Sequence, residues 1–224
     1  MKKLLTGLTL AAMAVFGPAA LAADAAGVGV GGDPEAGKSL SQTCVGCHGT
    51  DGNSPQGMWP NLGGQHAGYL FQQLQHFKAG KLRYNAQMAG MVAGLSEQDM
   101  RDLAAYYAGQ PHKVMGASDE ALVEQGEKIY LGGIASKNVA ACVACHGPRG
   151  RGNPAADYPR VGGQWAQYLV TQLQQFSAGH GYEPEGQIPA NMRASDPNAM
   201  MRSLSAEMTE QEMRAVSEYM AGLH

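Results

Sequence analysis

Apolar residues along this chain recur at helical steps and seldom alternate. Following Tyr69 and Tyr168, Leu70, Leu74 and Phe77, and again Leu169, Leu173 and Phe176, stand three, four or seven positions apart, as on one face of an α-helix. Two further stripes, Met100–Leu103–Tyr107 and Met213–Val216–Met220, predict a buried helix near the end of each half. Each stripe is introduced by a capping-box pattern with acids in the first turn, Ser96-Glu97-Gln98-Asp99 and Thr209-Glu210-Gln211-Glu212. Strand signals are weak, so the pattern predicts an all-α fold.

The stripes come in pairs because the chain repeats itself. Cys44-Val45-Gly46-Cys47-His48-Gly49 matches Cys142-Val143-Ala144-Cys145-His146-Gly147. Pro60, Gly63-Gly64-Gln65, Tyr69-Leu70, Gln73-Leu74 and Phe77 recur 99 residues later as Pro159, Gly162-Gly163-Gln164, Tyr168-Leu169, Gln172-Leu173 and Phe176. The match resumes at an offset of 113, pairing Met88 with Met201, Met100 with Met213, Tyr106 with Tyr219 and Ala108-Gly109 with Ala221-Gly222. A repeat of this length means two copies of one domain. They meet near Gln110–Ala117, where Pro111, Gly116 and Ser118 interrupt the helical pattern. The expected division is residues 23–113 and 114–224, each self-contained.

Residues 1–22 read as a cleaved export leader: Lys2 and Lys3, an apolar run from Leu4 to Ala22, and a small-residue cleavage pattern at Ala20-Leu21-Ala22. Pro18 and the glycines of 27–32 favour cleavage over a retained membrane anchor. No later apolar run is long enough to span a bilayer. The formal net charge is −3 over 224 residues, and losing the leader's two lysines would leave about −5. That is no footprint for nucleic acid, which wants clustered Lys and Arg. Four Phe and two Trp are few for two cores, and 31 glycines fill none; a pair of large apolar cofactors would supply the interior.

Four cysteines in an exported chain usually suggest disulfides. Here all four sit in two C-x-x-C pairs, each followed directly by histidine, the pattern of covalent haem attachment. Two thiols on a tight turn reach two vinyl groups, and the next residue offers imidazole to iron. A single four-cysteine zinc site would make both histidines coincidental. A thioredoxin-like dithiol expects a βαβ setting, and two disulfides would close strained four-residue rings.

With both motifs in place, the chain resembles the bacterial two-haem cytochrome c4 family, two class I c-type domains in tandem. The resemblance covers the whole chain after the leader. It rests on the two C-x-x-C-H-G runs, the Pro-x-x-Gly-Gly-Gln segments and the methionine-then-cap endings. It implies two covalent haem c groups, each iron held by histidine on one face and methionine on the other. His48 and His146 are the histidine ligands. Met88 and Met201 each lie eight residues before a helix cap, Ser96 and Thr209, and are chosen over Met58, Met91, Met192, Met200 and Met208. Family likeness also gives Pro60 and Pro159 the role of carbonyl acceptors for the histidine ring N–H. It likens Gly37 and Gly126 to the glycine that lets the first helix of a domain cross the last, facing Tyr106 and Tyr219. Trp59, Gln65, Gln164 and Trp165 are read as haem-edge contacts or ordinary packing, and His66, His76, His112, His180 and His224 as surface residues.

Closed iron coordination leaves no position for a substrate, so the expected role is an electron carrier of the periplasm. The family implies a quinol-oxidising complex as donor and a terminal oxidase or reductase as acceptor, with any membrane association through those partners. Two other readings stay open: the haem subunit of a sulfide-oxidising flavocytochrome, and a two-haem enzyme of peroxidase or thiosulfate-oxidising type. Residues 23–113 carry six basic and seven acidic side chains, and 114–224 carry eight and twelve. The more negative second half is expected to hold its haem at the lower potential.

Overall fold

The computed structural model describes residues 29–224; the export leader read at 1–22 lies outside them. The described residues form ten α-helices in two successive sets. The first set is α1 (Pro34–Leu40), α2 (Val45–His48), α3 (Ala67–Ala79), α4 (Ala86–Val92) and α5 (Glu97–Ala108). The second is α6 (Val123–Gly132), α7 (Val143–His146), α8 (Ala166–Ala178), α9 (Met200–Ala206) and α10 (Glu210–Gly222). Three isolated antiparallel bridges are the only β pairing among the described residues.

Within each set the first helix crosses the last, and the middle helix packs on the last as well: α1 and α3 on α5, α6 and α8 on α10. The crossings depend on glycine. A Cβ at Gly37 would fall on the Asp102 carbonyl and within 2.9 Å of the Tyr106 Cβ. One at Gly126 would fall on the Ala215 carbonyl and 2.8 Å from the Tyr219 Cβ. Backbone cannot yield as a side-chain tip can, so only glycine lets the helices approach this closely.

Both capping boxes form. Ser96 takes the Asp99 amide while Asp99 takes the Ser96 amide, and Thr209 and Glu212 do the same. Each closes two otherwise orphaned backbone donors. The stripes behind them are core: Leu103 and Tyr107 join Ala67, Leu70 and Ala104 in the first half. Met213, Val216 and Met220 join Ile129, Tyr130, Leu169 and Leu173 in the second. Each final helix also carries a buried acid that holds the chain leading into the first helix. Asp102 Oδ1 accepts the Asp33 amide at 2.7 Å. Glu218 accepts the Ser118 amide at 2.6 Å and the Ser118 hydroxyl at 2.7 Å. Neither acid is conspicuous in the sequence, because each lies off the apolar stripe of its helix, where a charge reads as solvent-facing. No helix among the described residues is long and apolar enough to cross a membrane.

Candidate haem sites and the seam between them

Each C-x-x-C-H segment folds as one tight helical turn. The His48 amide reaches the Cys44 carbonyl at 3.0 Å, and the His146 amide reaches that of Cys142 at 2.9 Å. The turns end at Gly49 (φ 77°) and Gly147 (φ 75°), a backbone region that costs glycine nothing. The histidine is thereby turned inward: His48 is 6% exposed and His146 8%.

Each imidazole spends one nitrogen on the protein. His48 Nδ1–H donates to the Pro60 carbonyl at 2.9 Å, and His146 Nδ1–H to that of Pro159 at 3.0 Å. A carbonyl only accepts, so the proton is on Nδ1 and the lone pair on Nε2. Burial holds both rings below their ordinary pKa, against the opposing pull of the carbonyl, and so keeps them neutral. A neutral imidazole with a free Nε2 is what a metal requires.

The cysteines are unbridged. Burial pushes the Cys142 thiol up to about 11. No three of the described His, Cys, Asp and Glu residues gather into a metal-ion cluster, so the four cysteines do not frame a shared zinc site. The donor set in each half, two thiols on one turn beside an imidazole with a free nitrogen, fits covalent haem. A second observation agrees. Arg83 and Arg193 are 7% and 3% exposed, yet neither forms an ion pair with any of the described residues. Their guanidiniums rest on neutral oxygens: Gln73 and Gln172 for both, with Tyr168 for Arg83 and Tyr69 for Arg193. Each also covers the ring of Phe77 or Phe176. A buried cationic pair without acids suits a group that brings its own carboxylates, as haem does.

The methionines separate by exposure. Met58 and Met91 are 58% and 48% exposed and face solvent. Met88 is half-buried on α4, its amide held by the Asn85 side chain at 3.1 Å. Met201 is half-buried on α9 and packs against the second core together with Cys142 and Met208. Met200 Sδ accepts the Tyr158 hydroxyl at 3.9 Å, and the Tyr158 ring lies 6.4 Å from that of His146. Met192 sits in a turn closed by the Pro189 carbonyl.

The halves are less independent than the repeat suggests. Gln65 crosses into the second half, where its Oε1 takes the Arg160 amide and its Nε2 donates to the Arg160 carbonyl, both at 2.9 Å. Gln164 crosses the other way to the Asn61 amide at 2.8 Å and carbonyl at 2.9 Å. Trp165 Nε1 donates to the Ser54 carbonyl at 3.2 Å. These three residues, read from sequence as haem-edge contacts or ordinary packing, make contacts between the halves. The surface reading of the free histidines holds for His180 and His224, both exposed. It fails for His66, whose Nε2 bonds the Arg151 carbonyl at 2.8 Å, and for His112, wedged beside Gly63 and Gly163. Both are in the seam, a surface only visible once the halves are docked.

Two helical domains, each presenting an inward histidine behind a two-thiol turn, are the make-up of a two-haem c-type cytochrome. A cytochrome c family profile matches residues 34–110 and 123–224. A cytochrome c4 from Thiocapsa roseopersicina is 42% identical over 86% of this chain and 93% of its own length. The crystal structure of reduced recombinant cytochrome c4 from Pseudomonas stutzeri is similar with a TM-score of 0.78 and 39% identity, covering 86% of this chain and 100% of the other. A thiosulfate dehydrogenase electron acceptor from Stutzerimonas stutzeri is 35% identical over 82% of this chain and 80% of its own. The chain belongs to the cytochrome c4 family. It is an electron-transfer protein with two covalent haem c groups.

Proposed function

We propose that this protein shuttles electrons in the periplasm between a respiratory donor complex and a terminal oxidase or reductase. In this reading Cys44, Cys47 and His48 hold one haem within residues 23–113, and Cys142, Cys145 and His146 hold the other within 114–224. The observation that carries it is the pair of buried histidines, each with Nδ1 spent on a proline carbonyl and Nε2 left for iron. Bound haem supplies one-electron exchange. The chain supplies the rest: thiols that anchor, Pro60 and Pro159 that fix each imidazole, and Met88 and Met201 as the distal ligands. Held by a histidine and a methionine, each haem would have no position left for peroxide or another substrate, which disfavours the enzyme readings. The leader pattern at residues 1–22 supports the periplasm.

A second reading concerns the donor alone. The relative named as a thiosulfate dehydrogenase electron acceptor supports a thiosulfate-oxidising enzyme as the source of electrons. The quinol-oxidising donor rests on family resemblance.

A potentiometric titration of the mature protein tests the shuttle. It should show two reversible one-electron steps per chain, the lower belonging to the more acidic second half. Peroxide or thiosulfate added alone should not turn over. Sustained consumption of either would convert the carrier into an enzyme.

A further inference from the structure

We propose that Gln65 and Gln164 are positioning residues that act in trans, each setting the iron-ligand histidine of the opposite half. The inference rests on His48 and His146 as the iron ligands.

The geometry is a short relay through one peptide group. His146 Nδ1–H donates to the Pro159 carbonyl at 3.0 Å. The amide of that same peptide, the N–H of Arg160, donates to Gln65 Oε1 at 2.9 Å. The mirror arrangement runs from His48 to the Pro60 carbonyl at 2.9 Å, and from the Asn61 amide to Gln164 Oε1 at 2.8 Å. Pro60 and Pro159, Asn61 and Arg160, and Gln65 and Gln164 are all repeat partners at one offset of 99, so the exchange is reciprocal. Gln65 and Gln164 are 7% and 6% exposed, and Asn61 is 3%, so little water competes for these bonds.

Each glutamine grips the peptide plane from both sides of the following residue. Oε1 takes the amide and Nε2 gives to the next carbonyl. The same Oε1 also accepts an amide of its own half, His66 for Gln65 and Trp165 for Gln164, just ahead of α3 or α8. The grip is thus tied to the frame of one domain and exerted on the other.

Accepting the amide proton draws electrons toward the peptide oxygen and makes that carbonyl a better acceptor, since hydrogen bonds in series polarise one another. A better acceptor pulls harder on Nδ1–H, and the ring becomes a stronger donor at Nε2. A stronger imidazole donor favours ferric iron and lowers the reduction potential. Removing the glutamine should act in the opposite sense, on the haem of the other half.

The test uses the full mature holoprotein carrying Gln65→Leu, Gln164→Leu or Gln65→Glu. Redox titration is followed by NMR, so that haem-methyl resonances report each haem separately. Gln65→Leu should raise the midpoint of the His146 haem more than that of the His48 haem, and Gln164→Leu should do the reverse. Gln65→Glu retains the acceptor, makes it more basic, and should lower the His146 haem. A seam that merely loosens would move both haems together in both leucine variants, and that result overturns the proposal. So does a larger shift on the variant's own side, an unchanged pair of midpoints, or a glutamate shift in the leucine direction. Loss of a haem spectrum in the unmutated protein would instead sink the two-haem ligand reading, before any shift is read.

Discussion

On the histidine side, the halves build one thing twice. The turn, its closing glycine, the buried imidazole, the proline carbonyl and the crossing glutamine recur with matching distances. On the methionine side they part. α4 is capped by Asn85, whose side chain accepts the Met88 amide. α9 has no side-chain cap and is entered through Asn198 and Ala199, both left-handed at φ 53° and 56°. There Asp196, not a cap, steadies the helix by taking the Arg202 amide at 3.0 Å and Nε at 2.8 Å. The second half's extra residues before α9 also lean on the first half: the Ile188 amide reaches the Gly80 carbonyl, and the Ala194 amide that of Leu82. Where the repeat offset is constant the support is duplicated, and the exchange between halves is reciprocal. Where it jumps, the second half draws on its neighbour.

The comparison can be broken most sharply at the duplicated element. Cys142→Ala with Cys145→Ala should cut covalent haem per chain from two to one, with the His48 site retained, as read by denatured pyridine haemochrome and intact mass. Loss of both haems would mean that the two attachment sites are not separate.

The methionine side comes next. Met88→Ala should remove about half of the weak Fe–S charge-transfer absorption of the oxidised protein, and the double variant with Met201→Ala should remove all of it. Met200→Ala should leave it intact, because that sulfur is engaged by Tyr158. Full retention in Met201→Ala would move the ligand to Met192 or Met200.

Two smaller effects probe stability. Gly37→Ala or Gly126→Ala puts a methyl group into backbone at the helix crossing, with an expected loss of about 1–3 kcal/mol in denaturant unfolding of the holoprotein. Ser96→Ala and Thr209→Ala should each cost about 1 kcal/mol, and by similar amounts, since both capping boxes are complete. Unequal losses would mean that the symmetry of the final helices is nominal.

What could be read in the sequence was local or repeated. The C-x-x-C-H turns, the capping boxes and the stripes of α5 and α10 follow from spacing, and Gly37 and Gly126 from the family likeness. The seam could not be read, because its contacts join residues about a hundred positions apart whose side chains are ordinary. Gln65 and Gln164 stand out as repeat partners, yet nothing in a Gly-Gly-Gln run says that its amide will cross to the other domain. Arg83 and Arg193 are not repeat partners at either offset, although the structure sets them on the same two glutamines, each with one tyrosine of its own. The buried acids Asp102 and Glu218 were hidden for a related reason: a charge off the apolar stripe of a helix looks like an exposed position until the chain leading into α1 or α6 is seen resting on it.

The most direct test of the account is peptide mapping of the mature protein by mass spectrometry after denaturation and thiol alkylation. The account predicts two haem-bearing peptides, one containing Cys44 and Cys47 and the other Cys142 and Cys145, with no alkylated cysteine. Alkylated thiols in either peptide, or a cysteine pair recovered as a disulfide, would contradict it.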